Sequence, residues 1–124
     1  MSNMKDIVIY MSPSCTSCRK VKKWFKKEQV PFVEKNIIMR GIKKEDIKKI
    51  VNCSDNGFSD ILSERSSSLK KLNVNLEQMT SSQMIDLIHE NPGILKRPII
   101  LQEDKNRVLV GFNAEQIEIF AKED

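Results

Sequence analysis

Ile7-Val8-Ile9-Tyr10-Met11-Ser12-Pro13-Ser14-Cys15-Thr16-Ser17-Cys18-Arg19-Lys20 runs from a strand through a break to the mouth of a helix. The first five residues are β-branched or apolar and read as a buried central strand. Ser12-Pro13-Ser14 interrupts them, and from Cys18 to about Gln29 the pattern becomes helical. Val21, Trp24 and Phe25 recur at i, i+3 and i+4 and form an apolar stripe. Arg19, Lys20, Lys22, Lys23, Lys26 and Lys27 fill the rest of that helix surface. Val30-Pro31 closes it, because the residue before proline avoids the α region.

Further along the chain, Phe32–Ile37 reads as a second short strand. Ile42, Ile47, Ile50 and Val51 mark a helix that Asp55-Asn56-Gly57 stops. Ser59 is expected to cap a short helix through about Ser66, and Leu69 and Leu72 a further turn. Thr80-Ser81-Ser82-Gln83 matches a capping box, and Asn91-Pro92-Gly93 ends the helix it opens. Arg97–Leu101 and Arg107–Gly111 flank a polar turn and form a hairpin. Asn113 then caps a last helix with Ile117 and Phe120 inward. The order β-α-β, helices, β-β-α is that of an α/β thioredoxin-like fold with a helical insert. One domain is expected over 1–124, its halves at about 6–38 and 97–121 and the insert at about 42–92.

The 124 residues are 40% apolar and 31% charged, which excludes a disordered chain. No apolar run approaches the roughly 18 residues of a membrane span. Met1–Asp6 lacks a secretory apolar region, so the expected location is the cytoplasm, with no membrane partner. Three cysteines in such a chain do not suggest a structural disulfide framework. A net charge of +4 suits an anionic partner without announcing one.

Cys15 and Cys18 stand where the first strand turns into the first helix. Unpaired N–H groups and the positive end of the helix dipole favour a thiolate there, and Arg19 and Lys20 add to it. Cys18 lies about one turn on, within reach of a disulfide. A peroxide or disulfide stress agent would oxidise Cys15, and Cys18 would resolve the product. A zinc site or a chance pair are the alternatives. Zinc needs four ligands, and the other soft ligands, Cys53 and His89, are distant in sequence. No metal or other cofactor is therefore expected. Cys53 reads as an ordinary thiol near a helix end and His89 as a surface residue. Pro98 is expected in cis before the third strand, facing the cysteines, by analogy with thioredoxin-like folds.

Several blocks resemble the Spx family of the arsenate-reductase-like group. They are Ser12–Lys20, Pro31-Phe32-Val33-Glu34, Arg65-Ser66, Lys71-Leu72-Asn73-Val74-Asn75 and Asn91–Ile100. The likeness runs from about Ile7 to Phe120. It implies a bacterial transcriptional regulator, not an enzyme, with no catalytic residues. Such a regulator binds the C-terminal domain of the RNA polymerase α chain, meets promoter DNA only with polymerase, and controls thiol-stress genes. It implies that Cys15 and Cys18 are a thiol/disulfide switch and that Gly57 contacts polymerase. It also implies that Arg97, with Pro98 and Arg19, borders the redox centre, and that Arg65 lies in a helix that responds to it.

Each residue also has a plainer reading. Gly57 can be a left-handed helix stop, and Arg65 and Arg97 can be surface ion-pair partners. The basic face from Arg19 to Lys27 can be simply solvated, or can help approach promoter phosphates. Ser66-Ser67-Ser68 follows Arg65 where relatives often carry a basic residue, which argues against DNA contact by that segment. Ala121-Lys122-Glu123-Asp124 is shorter than the tail that hands some relatives to the ClpXP protease, which argues against that route unless an adaptor supplies it.

Two enzymes are the alternatives. An arsenate reductase could use Cys15 with Arg65 and Arg97. However, Cys18 stands where glutaredoxin-linked enzymes have a serine, Met11 near a histidine, and Gly111-Phe112 at a further arginine. A thiol-disulfide oxidoreductase could use the exposed dithiol, but Thr16-Ser17 and the long insert do not resemble the usual reductases.

Overall fold

The computed structural model describes residues 7–63 and 66–121. Strand β1 (Ile7–Met11) occupies the middle of a four-stranded sheet of order β2-β1-β3-β4. It pairs in parallel with β2 (Val33–Asn36) and antiparallel with β3 (Ile99–Gln102). The hairpin of β3 and β4 (Arg107–Val110) aligns Ile99 with Val110 and Gln102 with Arg107. This mixed sheet is the thioredoxin-like α/β arrangement that the element order implies.

Alternation along β1 sorts its side chains between two cores. Ile7, Ile9 and Met11 pack with Val21 and Phe25 of helix α1 (Thr16–Lys27) and with Ile117 and Phe120. Phe25 lies 5.7 Å from Phe120, ring centre to ring centre. Tyr10 and Val8 face the insert instead, among Ile47 and Ile50 of α3 (Lys44–Cys53) and Ile88 of α6 (Ser81–Glu90). Thr80 and Gln83 make the expected reciprocal capping box on α6. Among the described residues no helix is long and apolar enough to cross a membrane.

Several boundaries differ from the sequence expectation. Helix α1 starts at Thr16 rather than Cys18, because the Cys15 sulfur serves as its cap. Ile37 leaves the second strand and opens helix α2 (Ile37–Arg40), since Asn36 Oδ1 accepts the Ile38 and Met39 N–H groups. Ser59 caps nothing. Gly57 holds the cap position of α4 (Phe58–Ile61), and the Ser59 hydroxyl donates to Asn56 O. That helix stops at Ile61, well short of Ser66, because Leu62 crosses into a bridge with Leu95. Ser66 instead caps α5 (Ser67–Leu72). The last helix is a 3-10 turn over Gln116–Phe120, although Asn113 Oδ1 does accept the N–H groups of Glu115 and Gln116. Arg65 lies outside the described residues.

Candidate functional site

Cys15 sits in extended conformation (φ −87°, ψ 121°) at the end of the break after β1. Its sulfur accepts the Cys18 N–H at 3.3 Å, so the thiol takes the role that serine or aspartate usually plays at a helix start. Its own S–H donates to Arg97 O at 3.7 Å. Cys15 is half-buried and Cys18 is buried. Burial, then the hydrogen bond with Cys15, pushes the Cys18 thiol up to about 12; the Ser12 main chain and the Arg97 charge oppose this only partly. Cys18 therefore stays protonated at neutral pH and is the inner of the two thiols.

A cavity of about 580 Å³ opens beside the Cys15 sulfur, lined by Ser12, Ser14, Ser63, Lys96 and Arg97 among others. The Arg97–Pro98 peptide is cis and Pro98 is buried against the start of β3. Arg19 turns its guanidinium to Pro13 O at 3.4 Å and Thr16 Oγ1 at 3.5 Å, which braces the break before α1. The structure thus gathers Cys15, Cys18, Arg97, Pro98 and Arg19 at one corner.

Cys53 lies elsewhere, at the end of α3 in a second cavity with Asn56, Asp60 and Arg107. His89 is exposed, with Nδ1 2.8 Å from Ile42 O. No group of three or more histidine, cysteine or acidic side chains placed to hold a metal occurs among the described residues.

Gly57 lies in a separate exposed turn. Its φ of 63° and ψ of −132° belong to a region that side chains avoid, and open space surrounds its missing Cβ. It is therefore not the left-handed stop of α3, which already ends at Cys53. The turn is held by a clamp that sequence reasoning missed. Asn56 donates its main-chain N–H to Asp60 Oδ2 at 2.9 Å and its side-chain amide to Oδ1 at 3.2 Å. These bonds, the main-chain one first, hold the Asp60 carboxyl below its usual range. An Asn and an Asp four residues apart around a glycine were the available signal.

A short backbone strap joins this turn to the cysteine corner. Leu62 bridges Leu95; Lys96 N–H donates to Ile61 O, and Ser63 N–H to Ile94 O, each at 2.8 Å. Lys96 precedes Arg97, whose carbonyl meets Cys15.

The sequence profile described as the ArsC family matches residues 10–120. The protein named Global transcriptional regulator Spx of Streptococcus agalactiae serotype V is 43% identical over 118 residues, 95% of this chain and 85% of that protein. Its namesake in Bacillus subtilis strain 168 is 43% identical over 114 residues, 92% of this chain and 86% of that protein. Among solved structures, an ArsC-family-related protein of Bacteroides fragilis superposes with a TM-score of 0.81 at 27% identity, over 95% of this chain and 99% of that one. An arsenate reductase of Vibrio cholerae shares the fold alone, with a TM-score of 0.75 at 16% identity over 92% of this chain and 93% of that one.

Proposed function

The chain belongs to the ArsC family, and from that premise and its Spx-named relatives we propose that it is a redox-responsive transcriptional regulator acting through RNA polymerase. Its partner is the C-terminal domain of the polymerase α chain, its switch is the Cys15–Cys18 pair, and no substrate is turned over. Promoter DNA is reached in company with polymerase. The observation that carries this reading is the Cys15 sulfur, open to a cavity on one side and bonded to Cys18 N–H and Arg97 O on the other.

A peroxide or a disulfide oxidant takes two electrons and two protons from the pair, is itself reduced to water or to thiols, and leaves the two sulfurs joined. The bond from Cys15 to Arg97 O is then lost, because the sulfur has no proton to donate. Arg97 follows directly on the strap that reaches Ile61 and Leu62, a few residues past Gly57. A shift there alters the turn that docks. A tenfold change in partner affinity needs only about 1.4 kcal/mol of difference between the two states, which the loss of one hydrogen bond and a small strap movement can supply.

The test is retention of the chain on immobilised α C-terminal domain, with diamide and with reductant. Retention is expected in at least one state, with at least a tenfold difference between states, and Gly57→Arg is expected to abolish it. Mass spectrometry on the diamide-treated chain is expected to find Cys15 joined to Cys18 and Cys53 free to alkylate. Absence of retention in both states, or pairing through Cys53, would overturn the proposal.

A further inference from the structure

We propose that the outward face of α1 is a binding surface for the phosphate backbone of duplex DNA. The helix carries Arg19, Lys20, Lys22, Lys23, Lys26 and Lys27 and no acidic residue. Those six charges exceed the net +4 of the whole chain, so everything outside α1 sums to −2. Positive charge is therefore concentrated on this one element.

The placement is selective as well. At about 100° per residue, Arg19, Lys20, Lys23, Lys26 and Lys27 fall within an arc of roughly 120°. The buried residues Cys18, Val21 and Phe25 point the opposite way. All five cations are exposed, and none makes a salt bridge with another described residue. Lys22, at the edge of the arc, is the one that pairs, with Glu34 at 3.1 Å.

Helix stability does not ask for this pattern. Lys26 and Lys27 suit the negative end of the helix dipole, but Arg19 and Lys20 sit near the positive end, where cations are unfavourable. Like charges three and four residues apart repel, and an anionic partner relieves the repulsion. From Arg19 to Lys27 the stripe is about 12 Å long, the axial rise of three to four phosphates on one strand of B-DNA.

A lipid surface fits less well. An interfacial helix must bury its apolar face in the bilayer, and here Val21 and Phe25 are committed to the core. None of the large exposed apolar residues, Ile38, Met39, Val74 and Ile119, lies on α1. Single strands fit less well too, because they need exposed rings to stack on. The one tryptophan, Trp24, is half-buried and edge-on to Phe25. Cations spread along one exposed helix face suit phosphate oxygens, and such contacts fix position without carrying sequence information. The surface therefore positions DNA without selecting its sequence.

The proposal takes its biological setting from the regulatory reading, but it is tested without polymerase. Fluorescence anisotropy of a labelled 20-base-pair duplex is followed as the full chain is added at several salt concentrations. Binding is expected at low salt, with a slope of log K against log salt of about −3 to −4. The variant Lys23→Gln/Lys26→Gln/Lys27→Gln is expected to lose more than tenfold in affinity and to flatten the slope by about 2 to 3. The variant Lys48→Gln/Lys70→Gln/Lys71→Gln removes three exposed cations from other elements. It is expected to stay within twofold of the parent.

Equal losses in both variants would reduce the effect to net charge and overturn the proposal. So would an unchanged slope in the α1 variant, or tighter binding to anionic phospholipid vesicles or a single-stranded oligonucleotide than to the duplex. Retention on the α domain is measured on the same variants. An α1 variant that binds DNA like the parent but still docks sinks only the DNA surface, whereas a parent chain that binds duplex and never docks sinks only the regulatory reading.

Discussion

The cysteine corner and the Gly57 turn are held by opposite means. At the corner, Met11, Cys18 and Val21 are buried between sheet and helix, and the Cys15 sulfur is itself a helix cap. At the turn, Asp55, Asn56 and Ser59 lie at the surface, and polar bonds around a glycine keep the shape. Burial makes the corner stiff; solvent-exposed hydrogen bonds make the turn cheap to rearrange. A switch benefits from that division, because a chemical change at the rigid end is then expressed at the compliant one. The strap through Leu62 and Leu95 is the direct backbone link between them.

Removing the stiff end's chemistry gives the largest expected effect. Cys15→Ser keeps the cap, since a hydroxyl accepts a helix N–H at least as well as a thiol. The fold should survive, with a melting temperature near the parent's. Retention on the α domain should then be identical with diamide and with reductant, erasing a difference of tenfold or more. A redox difference that persisted would assign the response to Cys53 and remove the corner from the switch.

Cutting the link should give a smaller and more telling effect. Lys96→Pro deletes the N–H that donates to Ile61 O at 2.8 Å, and Leu95 already has the extended backbone that a following proline requires. The buried carbonyl left without its donor should cost about 1–3 kcal/mol of stability, read by denaturant unfolding. The Cys15–Cys18 bond should still form under diamide. The redox difference in docking should shrink several-fold, because the turn no longer feels the corner. A full difference in this variant would mean that the two regions communicate by another route.

The two regions also differ in how far the sequence discloses them. The strand-break-helix run of β1 and α1 is written in consecutive residues, and so is the Thr80–Gln83 box; short-range periodicity and capping chemistry suffice for both. The start of α1 departs from expectation by two residues because cysteine is an unusual cap, and its sulfur reads first as a reactive group. At the turn, Gly57 stands out in the sequence, but as the stop of one helix rather than the start of the next. Ser59 attracts the cap assignment because serine is the commoner choice, while backbone geometry decides for glycine. The Leu62–Leu95 bridge has no local signature at all. It joins a residue in the middle of the insert to one just past its end, 33 positions on in the chain. Local chemistry is therefore readable, and its link to the Gly57 turn is not.

The smallest expected effect tests whether the turn is held as softly as the comparison requires. The Asp60 carboxyl is ionised more readily in the folded chain than in the unfolded one, because Asn56 donates two bonds to it. A depressed value means that the bonds stabilise the fold above the unfolded value of 3.8, and that this contribution is lost as pH falls through the lower, folded value. The Asp60 side chain is partly exposed, so screening by solvent keeps the gain small. Asp60→Asn should lower the melting temperature slightly at pH 7. The gap between variant and parent should close as pH is taken below about 4. Docking at pH 7 should weaken by a few-fold at most, since the amide oxygen introduced by the substitution can still accept one of the two bonds. A loss as complete as that expected for Gly57→Arg would show the clamp to be as rigid as the cysteine corner, and the division between stiff source and compliant reporter would fail.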